Sequence, residues 1–111
     1  MTSGQSEANA RWRAKPENKR KRASVVRKIK LACLAAYSDG KMECRECGYS
    51  NVDALTLDHI NNDGTPHRKL VGGGFNIYWD LKRRDFPSGF QVLCCNCNWL
   101  KEVARRRKKY E

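Results

Sequence analysis

Two Cys-x-x-Cys pairs constrain this chain of 111 residues more than any other feature. They are Cys44 with Cys47 and Cys94 with Cys97, and 46 residues lie between them. Two intervening residues allow both sulfurs of a pair to reach one ion, and four thiolates suit a tetrahedral Zn²⁺. A chain this short buries a limited core, so zinc binding is expected to supply folding free energy, on the order of 10 kcal/mol. The pairs therefore predict a four-cysteine zinc knuckle as the scaffold.

The remaining cysteines have other expected roles. Cys33 lies on the apolar face of a predicted helix and is expected to be a buried free thiol. Cys95 is wrongly spaced to replace a member of the second pair, so a packing role is expected. Three disulfides would be the alternative in a secreted protein. The N-terminal residues lack the features of a signal peptide and no apolar run would cross a bilayer. We therefore expect no membrane contact, and an intracellular, cytoplasmic location with reduced thiols.

The formal net charge of +11 is concentrated at the two ends. Residues 11–30 contain ten Lys/Arg and one acid, and residues 101–111 contain six Lys/Arg and two acids. The region between them is nearly neutral. This distribution predicts binding to a phosphate backbone, although a basic run alone is also typical of a solvated tail.

The hydrophobic pattern predicts one α+β domain over residues 19–111, preceded by a loose, flexible basic segment over residues 1–18. Trp12 in that segment is expected to pack back on the domain or to be disordered, with base stacking as the alternative. The expected elements are a basic amphipathic helix (19–38), a strand (55–60), a turn (61–64), a short helix (75–84), a strand (90–93) and a helix from about residue 96. Within the domain, residues 42–104 form the core and residues 105–111 a basic tail.

Asp58 and His59 stand at the end of the first predicted strand, between the two cysteine pairs. A closed knuckle would bring them close to Asn98, at the start of the last helix. Neighbouring strand residues point to opposite faces, so their roles are expected to differ. The oxygens of Asp58 and Asn98 suit Mg²⁺ or Mn²⁺, while a neutral His59 can accept a proton from water. These parts together predict phosphodiester hydrolysis.

Three ordered motifs resemble those of HNH endonucleases: Cys44-x-x-Cys47, Leu57-Asp58-His59-Ile60 and Leu93-Cys94-x-x-Cys97-Asn98-x-x-Lys101. A narrower pattern is similar to small HNH proteins of phages and mobile elements; it comprises His59-Ile-Asn-Asn-Asp-Gly-x-x-His67-Arg68 and Phe86-Pro-x-Gly-Phe-Gln-Val-Leu-Cys94. The resemblance covers roughly residues 25–101. It implies a ββα-metal (His-Me finger) core built on the zinc knuckle.

By motif position the resemblance assigns His59 as general base and Asp58 and Asn98 as ligands of the catalytic divalent ion. It makes Cys44, Cys47, Cys94 and Cys97 the structural zinc ligands. In the family a middle Asn orients the general base. This sequence departs from that pattern, since it has Ser88 and Gly89 at the corresponding position. The expected substitutes are the backbone carbonyl of that turn, or Asn61 or Asn62.

The resemblance implies a metal-dependent hydrolase that nicks or cleaves duplex DNA, leaving a 5′-phosphate and a 3′-hydroxyl. A monomer is expected, in the host cytoplasm if phage-encoded, with an unknown packaging or mobile-element partner. His67 and Arg68 are expected at the scissile phosphate, with a solvated loop as the alternative for His67. The other expected DNA contacts are Arg20, Lys21, Arg22, Arg27, Lys28, Lys101, Arg105 and Arg106. The alternatives are a non-catalytic zinc module that binds nucleic acid, and a zinc-stapled protein-interaction module without salt-dependent DNA binding.

Overall fold

The computed structural model describes residues 3–110, with side chains from residue 7 onwards. Within this part the chain mixes helices with one small sheet, which confirms the α+β class. The helices are α1 (Ser3–Ala14), α2 (Pro16–Tyr37), α3 (Gly64–Val71), α4 (Phe75–Arg83) and α5 (Cys95–Lys109), and the strands are β1 (Leu55–His59) and β2 (Phe90–Cys94). A 3-10 turn, Val52–Ala54, leads into β1. None of the helices described is long and apolar enough to cross a membrane.

The N-terminal region differs from the expected loose segment, because α1 and the start of α2 occupy it. Pro16 is the first residue of α2, where its missing N–H costs no helical hydrogen bond and its fixed φ suits the helix. Asn18 Nδ2 donates to the carbonyl of Trp12 over 2.7 Å and so ties the two helices together. The Trp12 side chain is exposed rather than packed on the domain. Residues 1 and 2 of the predicted loose segment, and residue 111 of the predicted basic tail, lie outside the described part.

The two strands are antiparallel, with Leu55 opposite Cys94 and His59 opposite Phe90. This confirms both predicted strands to within one residue at each end. β2 continues without a loop into α5, because Cys94 caps that helix: its sulfur accepts from the Cys97 N–H at 3.4 Å. The helix then lies across the sheet, in contact with both strands. The order β1, β2, α5 therefore brings the end of β1 close to the first turns of α5.

α2 packs against the sheet on one side and against α4 on the other. Two clusters of buried residues result: Leu34, Cys44, Leu55, Val92, Leu93 and Cys94 at the sheet, and Ile29, Cys33, Ile77 and Leu81 at α4. Cys33 is fully buried, as predicted, and burial raises its pKa to about 11. It is an inert packing residue rather than a ligand.

The long connection between the strands contains more structure than expected. The predicted turn is present, with Asn62 in the left-handed region at φ 58°. The next residues form α3, a helix that the sequence did not predict. The predicted helix over 75–84 is confirmed as α4; Leu81 is buried in it, but Tyr78 only partly. α3 and α4 together place polar side chains beside the end of β1.

Candidate functional site

The four paired cysteines converge at one end of the sheet, where each sulfur lies within 4.8 Å of every other. The first pair sits on a tight turn, in which the Cys44 N–H donates to Tyr49 O at 2.8 Å and Gly48 adopts φ +78°. A side chain at Gly48 would be strained in that conformation. The Arg45 N–H donates to Val92 O at 2.9 Å and fixes this turn to β2. The second pair follows directly, on the first turn of α5.

The cluster fits zinc. Cys47 Sγ and Cys94 Sγ are 3.7 Å apart. Two sulfurs of a tetrahedral zinc–thiolate centre with Zn–S bonds near 2.3 Å are separated by about 3.8 Å. Burial acts to raise the pKa of Cys44, but backbone hydrogen bonds from Cys94, Cys47 and Glu46 outweigh it and lower that pKa to about 6. The four cysteines could thus hold a metal such as zinc.

Cys95 does not fill the packing role that the sequence suggested. It is the first residue of α5 and is exposed, and it lies outside the four-sulfur cluster. The prediction failed because the turn of the helix directs its side chain to solvent while Cys94 and Cys97 face inwards.

A cleft of about 300 Å³ opens beside the end of β1, and Asp58, His59 and Asn98 all line it. The sequence predicted that these three residues meet, although 38 positions separate His59 from Asn98. The other lining residues are Leu57, Asn62, Gly64, Thr65, Arg68, Glu102, Arg105 and Arg106. The cleft therefore combines hard oxygen ligands, an imidazole and three guanidinium groups.

Asp58 is nearly buried, and its Oδ2 accepts from Gln91 Nε2 and from Lys101 Nζ, each at 2.7 Å. Lys101 Nζ also donates to the carbonyls of His59 at 2.9 Å and Ile60 at 3.2 Å. The sequence predicted that Lys101 contacts DNA phosphate. In the structure it instead fastens α5 to the end of β1 and balances the charge of Asp58.

Asn98 is oriented by the strand beneath it. Its Nδ2 donates to Thr56 Oγ1 at 2.9 Å, and that hydroxyl donates to Leu93 O at 2.8 Å. The amide oxygen is therefore the ligand atom that Asn98 can offer. Asp58 and Asn98 line the same cleft, and each presents an oxygen, the ligand type that Mg²⁺ prefers.

The His59 ring packs against Phe90, with 4.8 Å between the ring centroids. Its Nε2 lies 2.9 Å from Nδ1 of His67. Burial lowers the pKa of His59 below its usual 6.5. His59 is thereby favoured in the neutral form that a proton acceptor requires.

His67 connects His59 to Asp80, a residue that sequence reasoning missed. Nε2 of His67 lies 2.9 Å from Asp80 Oδ2, and Asp80 is buried. The hydrogen bond to His67, supported by Arg83 and Arg84, lowers the pKa of Asp80 to about 2. Both ring nitrogens of His67 are engaged inside the protein, so the expected phosphate contact would require breaking one of these bonds.

None of the three expected substitutes for the family's middle Asn is seen to bind the His59 ring. The Gly89 carbonyl accepts from the Ile60 N–H at 3.0 Å, a backbone bond that extends the strand pairing. The Asn62 N–H donates to the His59 carbonyl at 2.9 Å, and Asn61 is exposed. Among the described residues, His67 is the hydrogen-bond partner of that ring.

The expected DNA-contacting residues other than Lys101 are exposed; they are Arg20, Lys21, Arg22, Arg27 and Lys28 on α2, Arg68 on α3, and Arg105 and Arg106 on α5. Hydrogen bonds from Arg105 and Arg106 lower the pKa of Glu102 to about 2 and hold both guanidinium groups at the rim of the cleft. Arg27 forms an exposed ion pair with Asp53 at 3.3 Å. The basic groups thus occupy α2 and the side of the cleft formed by α3 and α5.

No family model matches this chain, and no curated protein or solved structure is significantly similar to it. A cleft that offers two oxygen ligands, a neutral imidazole and several arginines suits the hydrolysis of an anionic ester with a divalent ion.

Proposed function

We propose that this chain is an HNH-type, metal-dependent endonuclease that hydrolyses phosphodiester bonds of duplex DNA. The observation that carries the proposal is the convergence of Asp58, His59 and Asn98 in one arginine-rimmed cleft. The succession of β1, β2 and α5 supports a ββα-metal core, with a zinc-binding cluster where β2 meets α5. Fold and site thus support the same interpretation of the motifs.

Each residue of the cleft has a separate role in the proposed reaction. His59 accepts the proton of the attacking water, and its lowered pKa keeps it unprotonated at neutral pH. Asp58 and Asn98 would hold a divalent ion such as Mg²⁺ or Mn²⁺, which would stabilise charge on the phosphate and on the leaving oxygen. Arg68 lies on the same cleft and can pair with a phosphate oxygen. The products would be a 5′-phosphate and a 3′-hydroxyl.

One observation favours a different function, a non-catalytic zinc module that binds nucleic acid. The ammonium group of Lys101 already compensates the carboxylate of Asp58 at 2.7 Å, so a divalent ion must compete with an ion pair there. A plasmid-nicking assay with the zinc-loaded protein and added Mg²⁺ or Mn²⁺ separates the two functions. The endonuclease converts supercoiled plasmid to nicked or linear forms; the binding module retards the plasmid without cutting it.

Replacing Arg20, Lys21 and Arg22 together by glutamine is expected to weaken DNA binding and its salt dependence. These side chains are exposed on α2, and each lost phosphate contact should reduce the slope of log K against log[salt] by about 0.9. Fluorescence anisotropy over a salt series measures that slope. The double variant Arg20→Lys, Arg22→Lys keeps the charge and should keep the slope. An unchanged slope in the glutamine variant would show that α2 does not grip DNA.

Replacing Gly64 by alanine should impair nicking without lowering stability. A Cβ at Gly64 would lie 2.9 Å from Arg68 Nη1 and 3.2 Å from His59 Nδ1, so both cleft groups must shift. Gly64 is the first residue of α3 and is not among the glycines with positive φ, so its backbone can accommodate alanine without strain. We expect an unchanged or higher melting temperature with a nicking rate reduced about tenfold or more. A full nicking rate would show that this corner of the cleft is not used.

A further inference from the structure

We propose that Asp80 and His67 are positioning residues that fix which nitrogen of His59 carries the proton, so that Nδ1 is its basic atom. Three side chains, from β1, α3 and α4, are joined by hydrogen bonds in the order Asp80, His67, His59. The inference rests on the proposed function, in which His59 is the general base. It adds the residues that set the orientation and the protonation of that base.

These hydrogen bonds are short and shielded from solvent. Asp80 Oδ2 lies 2.9 Å from His67 Nε2, and His67 Nδ1 lies 2.9 Å from His59 Nε2. The side chains of Asp80 and His67 are only 6% and 11% exposed. Water therefore competes little for these bonds, and each ring is held by a fixed partner.

The Asp80 carboxylate determines which atom donates in each of these hydrogen bonds. An ionised Asp80 can only accept, so His67 must donate to it from Nε2. A neutral imidazole has one N–H, which leaves Nδ1 of His67 as an acceptor. His59 must then donate from Nε2, and its lone pair stands on Nδ1. Reversing the second bond requires a protonated His67, because Asp80 has no proton to give.

Asp80 is also paired with two arginines at the C-terminal end of its own helix. Arg83 Nη2 lies 3.0 Å from Asp80 Oδ1, and Arg84 Nη2 lies 2.7 Å from Oδ2. The hydrogen bond from His67 and these two guanidinium groups lower the pKa of Asp80, so its carboxylate is ionised and can only accept from His67. Asp80 thus stays ionised and His67 can donate to it without carrying charge.

The nitrogen left unprotonated is the one that faces the cleft. Nδ1 of His59 lies 3.2 Å from the point where a Cβ on Gly64 would stand, and the Arg68 guanidinium lies at 2.9 Å from the same point. The basic atom and a phosphate-binding group therefore flank one small space. When Nδ1 takes a proton from water, the new positive charge on His59 is stabilised through His67 by Asp80.

The first test reads the protonation of His59 directly, without DNA or a catalytic ion. Two-bond ¹H–¹⁵N correlation spectra of the zinc-loaded protein distinguish Nδ1–H from Nε2–H in each imidazole. We expect His59 to be protonated at Nε2 in the wild type. In Asp80→Asn the amide can accept or donate, so a mixture of the two forms is expected. A wild-type His59 protonated at Nδ1, or an Asp80→Asn spectrum identical to wild type, would overturn the proposal.

The second test compares two replacements of His67. Glutamine can accept from His59 and donate to Asp80, whereas phenylalanine fills the space but can do neither. If the positioning role holds, His67→Phe should lower kcat about 100-fold with little change in KM, and His67→Gln should recover most of that loss. Equal losses in both variants, or a loss confined to KM, would reduce His67 to a packing or phosphate-contacting residue.

Failure of the inference is distinguishable from failure of the proposed function. If the wild-type protein shows the expected His59 tautomer but cuts no plasmid, the endonuclease proposal is refuted. The positioning role of Asp80 and His67 then still stands. If the wild-type protein cuts plasmid but His59 is in the opposite tautomer, the endonuclease proposal stands and the proposed role of Asp80 and His67 is refuted. If Asp80→Asn does not fold, the spectra of His67→Gln and His67→Phe decide the matter.

Discussion

Replacing Cys44 by serine is expected to abolish zinc binding and to unfold most of the chain. Cys44 is buried in the same cluster as Leu34 and Leu55, so loss of the metal is expected to destabilise the packing of the core at the sheet. Zinc binding to small sites contributes on the order of 10 kcal/mol, comparable with the whole stability of a domain of this size. Far-ultraviolet circular dichroism should show a large loss of helix, and elemental analysis should find no bound zinc.

Cys95→Ser is the matched control for that experiment. Cys95 follows Cys94 directly, yet it is exposed and lies outside the four-sulfur cluster. The same chemical change there should leave the zinc content and the helix signal unaltered. A Cys44→Ser protein that keeps its helix signal without zinc would show that the apolar core alone specifies the fold.

Replacing His59 by alanine is expected to reduce plasmid nicking about 10²- to 10⁴-fold, the usual contribution of a general base. Its imidazole lines the cleft, with Nδ1 and the Arg68 guanidinium both close to Gly64. DNA affinity should change little, because exposed arginines and lysines supply the electrostatic attraction. First-order nicking rates with Mg²⁺ and with Mn²⁺, together with anisotropy titrations, measure both quantities.

Leu70→Ala supplies the control for His59→Ala. Leu70 lies on α3 within the same loop region but is 83% exposed and does not line the cleft. Its replacement should leave the nicking rate as in the wild type. If His59→Ala cuts as fast as the wild type, another group accepts the proton. If neither protein cuts with any divalent ion, the binding module is the better description.

Local sequence patterns predicted those parts of the molecule that depend on short-range chemistry. The spacing of Cys44 and Cys47 anticipated a shared ligand cluster, and alternating apolar residues anticipated β1 and β2 to within one residue. The presence of Asp58 and Asn98 at one cleft was also predicted, because Asn98 directly follows Cys97 and Asp58 lies between the two cysteine pairs.

The features that were missed depend on partners distant in sequence or on helix signals that are weak. The polar residues of α1 have no clear helical period, and Pro16, which resists the interior of a helix, begins α2 instead. The roles of His67 and Lys101 follow from contacts with other elements, which no local pattern encodes. One signal was available for Asp80: it shares a helix face with Ile77 and Leu81, and an acid among apolar residues implies a buried partner.

Cys94 serves three structures at once: it ends β2, caps the first turn of α5, and contributes a sulfur to the four-cysteine cluster. α5 carries Asn98 into the cleft one turn further on. The four-cysteine cluster and the position of Asn98 therefore both depend on Cys94. Oxidation of the cysteines or loss of a bound metal would displace α5 and, with it, Asn98. The proposed nuclease would then lose its activity and its fold together.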